Sequence, residues 1–167
     1  YAHLPLVNGK DGKKLSKRHG ATSLIQFREG GYIKEGLINY VTMVGWSFDD
    51  KREFFTSDEF KELFTLEKIS KSPGIFDYKK LDWYNGQYLR KLSDEKLEEL
   101  LIPILEKEGV VSNPITENEK KIYNGALPIF KDRLTLTTDI VNLVNFLYND
   151  IKEYDLGILI PKKMEKE

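Results

Sequence analysis

In the stretch Ser93-Asp94-Glu95-Lys96-Leu97-Glu98-Glu99-Leu100-Leu101-Ile102-Pro103-Ile104-Leu105, the apolar residues Leu97, Leu100, Leu101, Ile104 and Leu105 recur three and four residues apart. That period gathers them on one face of an α-helix. Ser93 offers a hydroxyl oxygen to the amides of the first turn, and Asp94 and Glu95 lie where the positive end of the helix dipole favours carboxylates. Pro103 has no amide hydrogen and its ring presses on the preceding turn, so a kink is expected there. Gly109 is the expected stop.

The same grammar extends in both directions. Toward the N-terminus, Ser23 caps a short helix to about Glu29, which ends at Gly30-Gly31, where one glycine can take the left-handed conformation. A helix over about Lys34 to Val44 places Leu37, Ile38, Val41 and Val44 on one face and stops at Gly45. Thr56 with Glu59 forms a capping box before Phe60, Leu63 and Phe64. Asp77 caps a helix to about Arg90 with Leu81, Tyr84 and Tyr88 on its buried side. Toward the C-terminus, Thr116 with Glu119 opens a helix carrying Ile122, Tyr123, Ala126, Leu127 and Phe130. A last helix from about Thr138 to Asn149 follows, and a charged, frayed tail is expected from Pro161 to Glu167. Apart from a short strand at Leu4 to Val7, strand patterns are nearly absent. The expected fold class is therefore mainly α, built of short helices packed as a bundle-like array.

The chain has 167 residues, 40% hydrophobic and 32% charged, the composition of a globular domain with solvated helix faces. No apolar run approaches the roughly 20 residues that span a bilayer, so membrane insertion is not expected. The absence of cysteine excludes disulfides and thiolate metal sites, and makes the cytoplasm the default compartment. Two histidines, His3 and His19, are too few to argue for a metal site. The start, Tyr1-Ala2-His3-Leu4-Pro5-Leu6-Val7, has neither an initiator methionine nor the charge pattern of a signal peptide, so the chain reads as an excised piece.

With 26 basic and 27 acidic residues, the net charge of −1 gives no global attraction for a polyanion. The local distribution does. Val7 to Gly20 reads as a loop, because Asn8-Gly9 and Asp11-Gly12 are strong turn dipeptides and Gly20 closes the run. It carries Lys10, Lys13, Lys14, Lys17 and Arg18 against the single carboxylate of Asp11. A glycine-flanked loop with closely spaced lysines suits neutralising the oxygens of a polyphosphate, since lysine is a compact charge on a long stem. A solvated basic loop without a ligand is the competing reading.

The tract Gly12-Lys13-Lys14-Leu15-Ser16-Lys17-Arg18-His19-Gly20 resembles the lysine-serine-lysine signature of class I aminoacyl-tRNA synthetases in its glutamyl form. Further tracts are similar to the bacterial-type glutamyl-tRNA synthetase family: Gly31-Tyr32-Ile33, Leu37-Ile38-Asn39-Tyr40, Gly45-Trp46-Ser47, and Lys80-Leu81-Asp82-Trp83-Tyr84-Asn85-Gly86-Gln87-Tyr88-Leu89-Arg90. The likeness extends to Arg133-Leu134-Thr135. It implies a catalytic-domain remnant with the ATP loop over residues 1–22, a helical stem-contact region over 23–109, and the start of a helical anticodon-binding domain over 110–167. It also implies ATP with Mg2+ and glutamate as substrates, and glutamate tRNA as partner of a monomeric parent enzyme. By position, Lys17 would contact the triphosphate and Lys14 would assist. Leu15, Ser16 and Arg18 complete the implied ATP site, with Leu15 near the adenine. Since the nucleotide-binding domain and the glutamate pocket would lie elsewhere in the parent, the chain alone is expected to be inactive.

Lys71, Lys79, Lys80, Arg90 and Arg133 are candidate tRNA contacts, with solvated helix-face charges as the alternative for each of the first four and a helix-junction cap for Arg133. Trp83, Tyr84 and Tyr88 could stack on bases, although their helical spacing suits core positions better. Lys68-Ile69-Ser70-Lys71-Ser72 matches the general signature more literally than the first tract does. It carries only two lysines, and Pro73 holds Ser72 toward extended conformations, so the first tract is the expected ATP loop. Two other readings remain in play. Glutaminyl-tRNA synthetases share the catalytic architecture but would follow the loop with β-barrels. A helical RNA-binding or protein-interaction module would have no catalytic role.

Overall fold

A computed structural model of the chain describes residues 3–20, 23–49 and 51–149. Seven helices dominate it: α1 (Leu24–Glu29), α2 (Lys34–Gly45), α3 (Ser57–Leu63), α4 (Tyr78–Lys91), α5 (Asp94–Lys107), α6 (Glu117–Phe130) and α7 (Ile140–Tyr148). The fold is mainly α, as the periodicity predicts. Two short strands, β1 (Val7–Asn8) and β2 (Gly74–Ile75), pair in parallel with Val7 opposite Gly74 and Asn8 opposite Ile75. The expected tail from Pro161 to Glu167 lies outside the described residues. No helix among the described residues is long and apolar enough to cross a membrane.

Side-chain caps fix where the helices begin. Ser23 accepts from the Gln26 amide, Thr56 from Glu59, Asp77 from Lys79 and Lys80, Ser93 from Lys96, and Thr116 from Glu119. Each bond satisfies a first-turn amide that has no partner within its own helix. Gly31, at φ 92°, takes the left-handed conformation expected after α1. Pro103 does not end α5, which continues to Lys107. The proline is exposed, so water can satisfy the carbonyl that its missing amide leaves free.

Three clusters of apolar side chains form the interior. Phe27, Leu37, Tyr40, Phe76, Leu81 and Tyr84 pack between α1, α2 and α4. Trp46, Phe55 and Phe60 form a small aromatic core beneath α3. The third unites α5, α6 and α7 through Leu97, Leu101, Leu105, Tyr123, Leu127, Phe130, Ile140 and Val144, and takes in Ile33, just before α2, and Leu89 of α4.

On α2 the buried face differs from the expected one. Ile38 and Val41 remain 45% and 51% exposed, while Gly36, Leu37, Asn39 and Tyr40 are buried. The reason is the tight crossing on α4: a Cβ at Gly36 would stand 3.0 Å from the Asn85 Cα, so α2 turns its glycine toward that helix. Asn85 joins the parts of the fold. Its carbonyl accepts from the Ile33 amide at 2.8 Å and its amide donates to the Thr135 carbonyl at 2.7 Å.

β2 escapes sequence reading because it has two residues and a partner far away along the chain. Its register depends on Gly74, where any Cβ would overlap the Val44 carbonyl oxygen. This pairing brings the start of the basic loop onto the beginning of α4.

Candidate functional site

The basic tract is a hydrogen-bonded hairpin rather than an open coil. The Gly12 amide donates to the Gly9 carbonyl at 3.0 Å, and the Gly9 amide to the Lys13 carbonyl at 2.8 Å. Gly12 sits at φ 72°, a left-handed position at the tip of this turn. The returning arm is held by an antiparallel bridge between Asn8 and Lys14 and by the Leu15 amide on the Val7 carbonyl at 2.9 Å. One 3-10 turn, Lys17–His19, follows and is closed by the His19 amide on the Ser16 carbonyl at 2.9 Å.

Both ends of the hairpin are tied to the start of α4. The Phe76 amide donates to the Asn8 carbonyl at 2.7 Å, and Lys10 Nζ lies 2.9 Å from Asp77 Oδ1. Asp77 has a carboxyl pKa below the ordinary value, first because Lys10 donates to it and then because the amides of Lys79 and Lys80 do. At the other end Gly20, with φ 122°, comes so close to Tyr78 that a Cβ would lie 3.1 Å from its ring.

The charges of the loop fall into two groups. Lys10 is paired with Asp77, and Arg18 lies 3.7 Å from Asp11. Lys13, Lys14 and Lys17 are exposed and have no ion pair among the described residues. Three ammonium groups within five residues, on a backbone held in place, make a local positive potential suited to an anion. Leu15 is half-buried and faces an apolar cavity of about 270 Å3 lined also by Val7, Leu24, Phe27, Leu37 and Phe76. Ser16 is exposed.

His19 is the member of the site that the sequence reading did not single out. Its half-buried ring lies between Asp11 and Ser16: Nε2 is 3.1 Å from Asp11 Oδ1, and the Ser16 amide donates to Nδ1 at 3.0 Å. The Lys13 amide also donates to Asp11 Oδ1, at 3.0 Å. That amide first, then His19 and Arg18, lower the Asp11 pKa from its ordinary value. A signal was available. Ser16 and His19 stand at the spacing of a capping box, with imidazole in place of the usual glutamate or glutamine.

The second lysine-serine-lysine tract is built differently. Lys68 Nζ donates to the Phe48 carbonyl at 2.9 Å and lies over the Phe48 ring, and the Ser70 amide donates to the Gly45 carbonyl at 2.8 Å. Ile69 bridges to Trp46. This tract is therefore fixed to the end of α2 with one of its two lysines engaged, leaving Lys71 exposed and without an ion pair among the described residues.

The other basic candidates separate by environment. Lys79 is exposed, whereas Lys80 pairs with Glu53 at 3.2 Å. Arg90 directs its guanidinium at the Leu134 carbonyl, 3.2 Å away, and so braces the turn Lys131–Arg133. Arg133 is exposed on that turn. Of the aromatics, Tyr84 is fully buried, Tyr88 is half-buried and donates to the Phe55 carbonyl, and Trp83 is 43% exposed on the side of α4.

Comparison with known proteins gives concordant results. The family described as tRNA synthetases class I (E and Q), catalytic domain, matches residues 1–83. A glutamate–tRNA ligase of Borreliella burgdorferi is 50% identical over all of this chain and 34% of its own length. One of Treponema denticola is 38% identical over all of this chain and 37% of its own length. The chain thus spans about a third of the length of the curated relatives it matches. Among solved structures, glutamate-tRNA synthetase from Elizabethkingia anophelis superimposes with a TM-score of 0.75 at 31% identity, over 93% of this chain and 34% of that one.

Proposed function

We propose, on the premise that this chain belongs over its whole length to the glutamate–tRNA ligase family, that it supplies the ATP-phosphate loop and tRNA-binding helices of such an enzyme. The enzyme would activate glutamate with ATP and transfer the glutamyl group to the 3′ end of glutamate tRNA. The observation that carries this reading is the hairpin whose Lys13, Lys14 and Lys17 have no ion pair among the described residues while Lys10 and Asp77 tether it to the helices.

In the activation step a glutamate carboxylate oxygen bonds to the α-phosphorus of ATP, and the bond from that phosphorus to the bridging oxygen of pyrophosphate breaks. Negative charge grows on the departing pyrophosphate. The Lys17 ammonium, assisted by Lys14, stabilises it, and a preset hairpin makes that stabilisation available without reordering the backbone. Ser16 and Arg18 would complete the ATP site beside Lys17, and Leu15 would lie near the adenine. Mg2+ would arrive with ATP as its substrate complex. Because the chain spans a third of its relatives' length, the 167 residues alone are expected not to activate glutamate.

The start of α4 and the tract before it would meet the acceptor side of the tRNA through Lys71, Lys79 and Lys80, which would contact phosphates without reading sequence. Of the three aromatics that could stack on an unpaired base, Trp83 would be the one left to do so, since it is 43% exposed while Tyr84 is enclosed in the core. Arg90 would position the turn that offers Arg133 toward the anticodon. The residue ranges 1–22, 23–109 and 110–167 are our proposed functional division, in a monomeric, cytoplasmic enzyme. The test is pyrophosphate exchange into ATP by the full-length protein: it should require both glutamate and tRNA. Exchange supported equally by glutamine, or none at all, would refute the reading.

A further inference from the structure

We propose that His19 is a positioning residue for the phosphate-binding lysines, its imidazole acting as a latch that sets the hairpin before the nucleotide arrives. The proposal rests on the ATP-loop reading above. Neither ring nitrogen is idle. The Ser16 amide donates to Nδ1, which also lies 3.1 Å from Ser16 Oγ and 3.2 Å from the Ser16 carbonyl oxygen, while Nε2 faces Asp11 Oδ1 at 3.1 Å. The ring thereby joins the tip of the turn to the start of the Lys17–His19 turn.

What is held matters more than the hydrogen bonds themselves. Asp11 Oδ1 also receives the Lys13 amide, and Ser16 is the residue immediately before Lys17. Backbone on both sides of the lysine cluster is consequently referred to one rigid ring. Gly9 supplies an independent observation. It is buried, and a Cβ there would lie 2.7 Å from His19 Cδ2 and 2.9 Å from Nε2. The ring could swing away from a larger side chain, but only by leaving Asp11 and Ser16. Hence the glycine at position 9 and the histidine at position 19 are two halves of one device.

A latch of this kind contributes to the chemical step through Lys14 and Lys17, so its loss should appear mainly in the rate constant for exchange. A displacement of about 1 Å at a charged group is enough to cost on the order of 100-fold. In the full-length protein, His19→Ala should lower kcat for ATP–pyrophosphate exchange by about 10- to 100-fold with KM for ATP changed less than about threefold. His19→Asn places an amide oxygen near the position of Nδ1, keeps the Ser16 bond, and should recover to within about tenfold of the wild type. Gly9→Ala should reproduce the kcat loss with His19 intact. A role confined to stability would not be split between kcat and KM in this way, nor rescued by asparagine.

Limited trypsin digestion, read at the bonds after Lys13, Lys14, Lys17 and Arg18, tests the latch apart from any activity. Cleavage should be roughly tenfold faster in His19→Ala, as expected for two lost hydrogen bonds. If His19→Ala does not fold, by circular dichroism, His19→Asn and Gly9→Ala carry the test. Unchanged cleavage overturns the latch. Faster cleavage with unaltered exchange overturns the positioning role and leaves the ATP reading standing. Exchange absent from the wild type, or indifferent to Lys17→Ala, overturns the ATP reading and the proposal with it.

Discussion

Truncating Asn85 to alanine should be among the most damaging single changes to this fold. The side chain is fully buried, and its three bonds connect segments distant in sequence: the Ile33 amide at 2.8 Å, the Thr135 carbonyl at 2.7 Å and the Gly31 carbonyl at 3.4 Å. Alanine leaves the Ile33 amide and the Thr135 carbonyl without partners, at about 1–3 kcal/mol for each buried group. The carbonyl falls toward the lower figure because Thr135 is only half-buried and water can reach it. The total expected is about 3–4 kcal/mol. Urea unfolding followed by circular dichroism and by tryptophan fluorescence measures it. A loss under about 1 kcal/mol would refute the claim that this amide joins the helical units. Asn85→Asp sharpens the test. Its second oxygen would face two carbonyl oxygens, so the folded state favours the protonated acid and raises its pKa. The stability of this variant should be best below the ordinary carboxylate pKa of about 4 and fall as pH rises through the raised value.

Three further outcomes follow from particular contacts. Gly36→Ala gains about 1 kcal/mol of helix propensity, yet its Cβ would press on the Asn85 backbone and side chain at 3.0 Å, so chemical denaturation should show a net loss of about 1–3 kcal/mol. Glu119 is held by the Thr116 hydroxyl and amide and by the Ser112 amide, which bring its pKa down from 4.5 to about 2. Its stabilising contribution is therefore complete above about pH 4.5 and is lost as pH falls through about 2; Glu119→Gln should flatten the acid limb of a stability-against-pH curve over that window. Gly74→Ala should separate β2 from β1 by collision with the Val44 carbonyl, and would show as faster tryptic cleavage after Lys13, Lys14 and Lys17 without loss of helix content.

Local chemistry made most of the helices legible. Thr56, Asp77, Ser93 and Thr116 cap the helices where their side-chain oxygens predict, because a cap is decided within three or four residues of sequence. Decisions made by distant partners were not legible. Ile38 and Val41 belong to an apolar stripe on paper, but the glycine at position 36 lets α2 pack closer to α4 on a neighbouring face. The β1–β2 pairing depends on residues far apart in the chain and could not be inferred from two-residue strands. At the candidate site the lysines were readable from charge and spacing, and the family resemblance assigned them. The hairpin, the Lys10–Asp77 tether and the His19–Asp11 contact were not legible, since each depends on a turn shape or a distant partner that the sequence does not state.

We propose the tract around Lys17, and not the more literal signature around Lys71, as the phosphate loop. Lys17 stands exposed on the tethered hairpin, whereas Lys71 belongs to a tract whose companion Lys68 is engaged by Phe48. The measurement that separates them is adenylate formation by the full-length protein at saturating tRNA, with Lys17→Ala and Lys71→Ala made singly. Lys17→Ala should slow it by about 10²–10³, or about 3–4 kcal/mol of transition-state stabilisation. Lys71→Ala should leave the step nearly intact and weaken tRNA binding with a salt slope smaller by about one. Collapse of adenylate formation in Lys71→Ala with Lys17→Ala unaffected would place the phosphate loop at Lys71 instead.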